Sequence, residues 1–387
     1  MRKASVLFAL LVMPALVWAQ ASGGPGSISI LEVNSDERGG VGQGASASVA
    51  PGAPAPVLPR FVTGFNQAWW HNRYGGGWCS FDEAEATRLV KACHDNGARV
   101  LRVWLFEGLS PEGVVWDHDP RSRPGSTNRT VPTGIDERKL ASIEKLLTIA
   151  ESQGVLIYLT FFDGNIYSFK TDNFDRRKDE WWNVLNDKYG AGTGFLQNVV
   201  APIMKIAARH RGAVFGVDLV NEFNALVKNW WFEDRWTGGL AFIRKWRTAI
   251  RSVADVPVGV SFGHHDAVTT MLDRRVPADA VDFYDFHVYD NSGAIPSAEK
   301  VRQFAASCGK PVYLGEFGQS SSAFDDALQV KTTEAFIENA RSLGLAGAFA
   351  WRLSDIRPGF NGEARFSFEA FGKWRPAMET FKRQSAR

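Results

Sequence analysis

The sequence predicts an α/β fold of the (β/α)8 (TIM) barrel type. Three observations carry this expectation. From Arg60 onward, short β-branched and apolar runs alternate with amphipathic stretches, and the alternation repeats eight times. The segment 60–387 has the length that one such barrel takes. A doubly wound sheet would want a glycine-rich phosphate turn after its first strand. Here that place reads Asn66-Gln67-Ala68-Trp69-Trp70, and the later Gly75-Gly76-Gly77 run signals no more than a turn.

Residues 1–21 precede the fold as a secretory signal peptide. Arg2 and Lys3 give a charged start, Val6 to Trp18 an apolar stretch, and Ala19-Gln20-Ala21 a small-x-small cleavage pattern. The apolar run is short against the roughly 20 residues of a membrane span, and Pro14 interrupts it. Cleavage and export to the periplasm or the medium (a secreted or periplasmic protein) are therefore expected. Residues 22–59 follow as a linker, with Ser27–Val33 open as a short strand. Within 34–59, Gly, Ala, Ser and Pro make up 17 of 26 positions, too little apolar surface to offset the entropy of ordering. The barrel domain is then 60–387.

The strand candidates are Phe61–Asn66, Arg99–Leu105, Val155–Phe161, Ala213–Val220, Pro257–Phe262, Val281–His287, Pro311–Gly315 and Ala346–Trp351. Ser80-Phe81-Asp82-Glu83 reads as a capping box for the first helix, which Asn96-Gly97 closes. Asp136–Gln153 is the second helix, stopped by Gly154. Thr193–His210, Arg235–Ala254, Ser297–Ser307, Ala323–Leu343 and Ser367–Arg383 follow, with a short fifth connection at Asp266–Arg275.

Composition narrows the function classes. The chain of 387 residues is 45% hydrophobic and 22% charged, which excludes a disordered tail, a collagen-like fibre and a small disulfide-stapled toxin. Lys and Arg number 44 against 42 Asp and Glu. Loss of residues 1–21, with two basic residues and no acid, balances the signs. Neither nucleic acid nor an anionic membrane is expected as partner, and a monomer is expected. The three cysteines, Cys79, Cys93 and Cys308, leave at least one without an internal partner. A Cys79–Cys93 pair stays open. Asn128-Arg129-Thr130 is a glycosylation sequon by pattern.

In such a barrel, chemistry happens at the C-terminal strand ends. The fourth strand runs into Asn221-Glu222, and the seventh into Gly315-Glu316-Phe317-Gly318. These strands face each other across the mouth, so the two glutamates can converge. Two carboxyl groups about 5–5.5 Å apart serve retaining glycoside hydrolysis, one as acid/base and one as nucleophile. Their mutual repulsion is expected to keep one of them protonated near neutral pH. Arg102 alternates with Val100 and Trp104, so a barrel-facing Arg102 needs a carboxylate partner.

Asn221-Glu222, Glu316, His287-Val288-Tyr289 and Trp351, each at its strand end, resemble the clan A glycoside hydrolases, and most of all family 5, the cellulase and mannanase family. The resemblance spans essentially Arg60 to the C-terminus. It implies Glu222 as acid/base, Glu316 as nucleophile, Arg102 beside the nucleophile, and Asn221 on the sugar 2-hydroxyl. It also implies that His287 and Tyr289 orient the carboxylates, and it brings no metal and no cofactor. The chain departs from the family pattern at Phe223, where a proline is usual. It departs again at Thr160-Phe161-Phe162-Asp163-Gly164, where a histidine is usual; Asp163 is expected to take over sugar contacts there.

Fourteen Trp and 27 Phe are the outlier of the composition. Trp69, Trp70, Trp78, Trp116, Trp181, Trp182, Trp230, Trp231 and Trp236 fall in or beside βα connections, where indole faces suit stacking on sugar rings. Loops that bury their own aromatics are the alternative. Trp351 is expected as the floor beneath the sugar beside the glutamates. Two other function classes compete. One is a metal-dependent amidohydrolase using His264, His265 and His287, although strand one offers only His71 and no lysine replaces Asn221-Glu222. The other is a non-catalytic sugar-binding barrel, which predicts loss of one of the two glutamates. Glu107 and Asp163 are further strand-end acids, expected as substrate contacts or loop anchors.

Overall fold

The computed structural model of the chain describes residues 61–70, 77–106, 112–117, 131–165, 174–355 and 360–387. The signal peptide, the linker, Ser27–Val33, His71, Glu107 and the Asn128 sequon lie outside the described residues.

Eight parallel strands close into a barrel in chain order: Val62–Asn66, Val100–Trp104, Leu156–Asp163, Val214–Asn221, Val258–Phe262, Tyr284–Tyr289, Val312–Gly318 and Gly347–Ala350. The eighth returns to the first, with Val62 opposite Gly347. The fold is the predicted (β/α)8 barrel. Strands covered on both faces read as continuous apolar runs rather than as alternation, and the first five are buried at every position.

Sequence signals set the helices with small shifts. Asp82, in extended conformation, caps Glu83–Asp95 by accepting from the Glu85 amide, so the cap is Asp82 and not Ser80. Asp136 caps Glu137–Gln153, and Gly154 ends it at φ 66°. Trp236–Val253, Ala298–Ser307 and Asp326–Ser342 follow the expected plan. The last helix is Ala377–Ser385. The residues before it, expected as helix from Ser367, form a hairpin, Glu369–Ala370 against Lys373–Trp374. Gly372 takes φ 70° at its turn, and Pro376, which lacks an amide hydrogen, sits at the helix entry. A second hairpin, Val114–Asp117 with Val131–Ile135, and the helix Phe174–Leu185 were not legible in the sequence. Cys79, Cys93 and Cys308 are all free thiols, so the open Cys79–Cys93 pair does not form.

Three layers fill the barrel. At the bottom, Val62, Val100, Leu156, Tyr158, Phe215, Phe283, Tyr313 and Phe349 pack together. Arg102 lies above Val100, fully buried. At the mouth, Trp69, Trp104, Trp351 and Phe366 form an aromatic cluster with Tyr289 against it. The Arg102 guanidinium sits between layers, 5.5 Å from the Tyr158 ring and 5.7 Å from the Trp104 ring.

Candidate active site

The strands run further than their apolar cores suggest. Asp163, Asn221, Tyr289 and Glu316 all lie within the last three residues of their strands, and the Glu316 carboxylate is aimed at Arg102 and Tyr289. In the seventh strand a β-bulge makes the aim possible: Phe286 faces Leu314, yet His287 faces Glu316, so Gly315 is the extra residue.

Arg102 organises the centre. Its Nη1 donates to Glu316 Oε1 at 2.6 Å and to Asn66 Oδ1 at 2.9 Å. Its Nη2 donates to Asp218 Oδ2 at 2.7 Å and to Asn221 Oδ1 at 2.8 Å. The second oxygen of Glu316 accepts from the Tyr289 hydroxyl at 2.7 Å. Both oxygens of Glu316 are thus held by donors, one of them charged.

Glu222 is the residue where the fourth strand turns into the helix Phe223–Lys228, at φ 54°, and its amide donates to Ser261 Oγ at 3.0 Å. Its Oε2 accepts from Asn165 Nδ2 at 2.7 Å and faces His264 Nε2 at 3.1 Å. Its Oε1 faces His287 Nδ1 at 3.3 Å. Space for this carboxyl exists only because residue 263 is glycine: a Cβ there would lie 2.0 Å from the Glu222 carboxyl carbon.

One oxygen from each glutamate and one ring nitrogen of His287 lie within 4.8 Å of one another. The two carboxyls therefore converge on one point, and both are buried. The proton placement departs from expectation. Burial pushes the Glu222 carboxyl up, but the hydrogen bond and charge of His287, then His264 and Asn165, outweigh it and hold the group below the ordinary glutamate range. Burial works against a charged His287, yet Glu316, Glu222 and Asp285 raise its affinity for a proton. Both directions favour a proton on the His287 imidazole over one on Glu222. Donor groups, not repulsion, decide the matter.

Asp163 is bonded within the protein. It is buried and accepts from Asn221 Nδ2 at 3.0 Å and from the Asn165 amide at 3.0 Å. It therefore orients two asparagines, one bonded to Arg102 and one to Glu222. Burial pushes its carboxyl up to about 7, against the hydrogen bonds from Asn221 and Asn165.

Trp351 packs in the aromatic cluster at the barrel mouth. Its indole nitrogen donates to Glu363 Oε2 at 2.9 Å, and its ring meets Trp69 edge-on at 5.6 Å. Trp69 is itself 3% exposed and lies under the Arg352 guanidinium at 4.5 Å, so it supports Trp351 more than it offers a free face. Most loop tryptophans resolve toward packing: Trp70, Trp78, Trp181 and Trp231 are buried, and Trp116 meets Trp181 edge-on at 5.9 Å. Trp230 is 60% exposed, with the Arg235 guanidinium 3.2 Å from its ring.

Asn66, Asn165, Asp218, Ser261 and Asp285 also build the site. Asp218 and Asp285 were detectable as lone acids inside apolar strands, Val217-Asp218-Leu219 and Tyr284-Asp285-Phe286. Asn165 sits in a loop and gave no signal. His264 touches Glu222 and Asn165 Oδ1, the latter at 2.9 Å.

No protein-family model matches the sequence, and no curated protein matches it. Solved structures do match it in shape. The chain is similar to a β-mannanase from the blue mussel Mytilus edulis, with 18% identity, 84% of this chain and 92% of that chain covered, and a TM-score of 0.58. It is similar to GH5_18 from Streptomyces cattleya in complex with GlcNAc, with 16% identity, 84% and 80% covered, and a TM-score of 0.62. It is also similar to the exo-β-1,4-mannosidase Op5Man5 from Opitutaceae bacterium strain TAV5, with 18% identity, 84% and 59% covered, and a TM-score of 0.60. These likenesses establish the fold that the chain shares with those enzymes.

Proposed function

We propose that this chain is an exported, monomeric retaining β-glycoside hydrolase of the clan A, family 5 type, acting internally on a β-1,4-linked glucan or mannan. One observation carries the reading: Glu222 and Glu316 bring carboxylate oxygens within 4.8 Å of one another, with Arg102 and Tyr289 fixed on Glu316. Retaining hydrolysis needs that separation; inversion needs room for a water, about 6.5–9.5 Å.

The steps follow from the donors. Glu316, ionised beside Arg102, attacks the anomeric carbon. The glycosidic C–O bond breaks, and its electron pair goes to the leaving oxygen. Glu222 passes that oxygen the proton it shares with His287 Nδ1. A covalent glycosyl ester of Glu316 results. A water then enters, Glu222 takes its proton, and the water oxygen bonds the anomeric carbon. The ester C–O bond breaks and the Glu316 carboxylate returns to Arg102 and Tyr289. Asn221, fixed by Arg102 and Asp163, has an amide hydrogen left for the sugar 2-hydroxyl, and Trp351 lies beneath the ring. The mannanases and the mannosidase of like fold favour a mannan.

The metal-dependent reading is weaker. Arg102 and Tyr289 already engage both oxygens of Glu316, and His264 faces Glu222 rather than joining a histidine cluster. The mechanism is tested with Glu316→Ala on β-1,4-manno- and gluco-oligosaccharides. Turnover should fall to background while oligosaccharide binding persists, and the wild type should release the β-anomer first by proton NMR. Undiminished hydrolysis by Glu316→Ala, or an initial α-anomer, would sink the scheme.

A further inference from the structure

The interior behind the two glutamates holds a buried acid that the steps above leave idle. Asp285 stands two residues before His287 on the sixth barrel strand, so both side chains point into the barrel. Its Oδ2 accepts from the Tyr158 hydroxyl at 2.9 Å. Its Oδ1 lies 3.7 Å from His287 Nε2, and neither of those two atoms has a hydrogen-bond partner among the described residues. The seventh strand makes room for this carboxylate. A Cβ at Gly315 would lie 1.9 Å from Asp285 Oδ1. The bulge that turns Glu316 toward His287 thus also leaves space for Asp285.

His287 therefore lies between carboxylates on both edges. Its Nδ1 is 3.3 Å from Glu222 Oε1 and 3.5 Å from Glu316 Oε2. We propose that Asp285, braced by Tyr158, is a positioning residue that holds the Nε2–H edge of His287 and so keeps the Nδ1 proton between Glu222 and Glu316. This rests on the hydrolase reading and adds the source of the acid's proton. In the first step the proton passes from Nδ1 through Glu222 to the leaving oxygen, which leaves His287 neutral with Nε2–H toward Asp285. In the second step Glu222 takes a proton from water and shares it again with Nδ1.

The groups facing Asp285 from across the barrel are Tyr158, Arg102 and Asp218, with His287 on its own strand and Tyr313 on the seventh. Burial pushes the Asp285 carboxyl up to about 7, against His287 and Arg102. Its charge therefore develops in the neutral range, where it steadies the imidazolium.

The test is a pH titration of the His287 imidazole by 15N NMR in the full chain, wild type against Asp285→Asn and Tyr158→Phe. Loss of the Asp285 charge should let His287 give up its proton about one pH unit lower. Loss of the Tyr158 donor should move it less, in the same direction. On a β-1,4-oligosaccharide the alkaline limb of kcat/KM should fall in the same order, with KM within twofold of wild type. A His287 titration unmoved in both variants overturns the proposal, and should Asp285→Asn fail to fold, an unmoved Tyr158→Phe overturns it alone. A shifted titration in a chain that turns over no glycoside sinks the hydrolase reading but leaves the coupling in place.

Discussion

The lower and upper halves of the barrel interior are built by the same strands and obey different rules. Below Arg102, rings fill the space: Phe215 lies 5.1 Å from Tyr313 and 5.7 Å from Phe349, and Tyr158 lies 5.2 Å from Phe215. These contacts are non-directional, and each contributes through area and fit. Above it, Arg102 alone donates within 3.0 Å to Glu316, Asp218, Asn66 and Asn221. Here each atom depends on the placement of its neighbour, so effects couple. The lower half secures the fold, and the upper half uses that rigidity to hold charges that would otherwise separate or protonate.

The strongest way to break this division is Arg102→Met. It leaves Asp218 and Glu316 buried without their cation, which costs roughly 3–5 kcal/mol. Activity should fall as well, by roughly 10²–10³-fold or more, because Glu316 loses its charged donor. Urea unfolding and kcat/KM measured together check both. A stable, inactive variant would mean that the network serves chemistry alone; an unstable but fully active one would mean that Glu316 does not need it.

Phe349→Ala is the opposite probe, within the lower layer. Truncating a fully buried ring should cost about 3–5 kcal/mol. Activity per folded molecule should stay within twofold, measured by active-site titration below the unfolding transition. A large loss of kcat at unchanged fold would show that the lower layer reaches the mouth, most directly through Tyr158.

These halves were unequally legible in the sequence. The lower layer follows from apolar runs whose period and length suffice to predict strands, and the barrel followed from their alternation. The glutamate pair was legible because Glu222 and Glu316 each stand where an apolar strand stops. Arg102 was legible because an arginine between Val100 and Trp104 demands a partner. The partners were not, since Asp218, Ser261 and Asn165 come together only through strand register and loop path. For the same reason Asp163 stayed open between a substrate contact and a loop anchor. A strand-end acid looks like a sugar contact until the neighbouring Asn221 is seen to point its amide at it. The loop tryptophans were ambiguous in principle, because an indole that stacks on a sugar and one that packs on another indole have the same sequence signature.

The smallest predicted effect separates the halves by pH. The folded-state affinity of Asp163 for its proton rises from 3.8 to about 7 by burial. Between those values the folded protein binds more protons here than the unfolded chain does. The group's contribution is thus fully present below about pH 4 and is lost as pH rises through 7. Asp163→Asn keeps an oxygen that accepts from Asn221 and from the Asn165 amide, and it carries no charge to bury. Its melting temperature relative to wild type should therefore climb between pH 5 and pH 8, by roughly 2–4 °C for each kcal/mol removed. Asp285, also raised to about 7 by burial, remains in the variant, so part of the wild-type drift should persist. The same pH scan on Phe349→Ala should run parallel to wild type, because no titrating group is touched. If Asp163→Asn also ran parallel, the acid would be ionised at no cost, and its support of Asn221 and Asn165 would be ordinary hydrogen bonding rather than a pH-dependent brace on the acid/base.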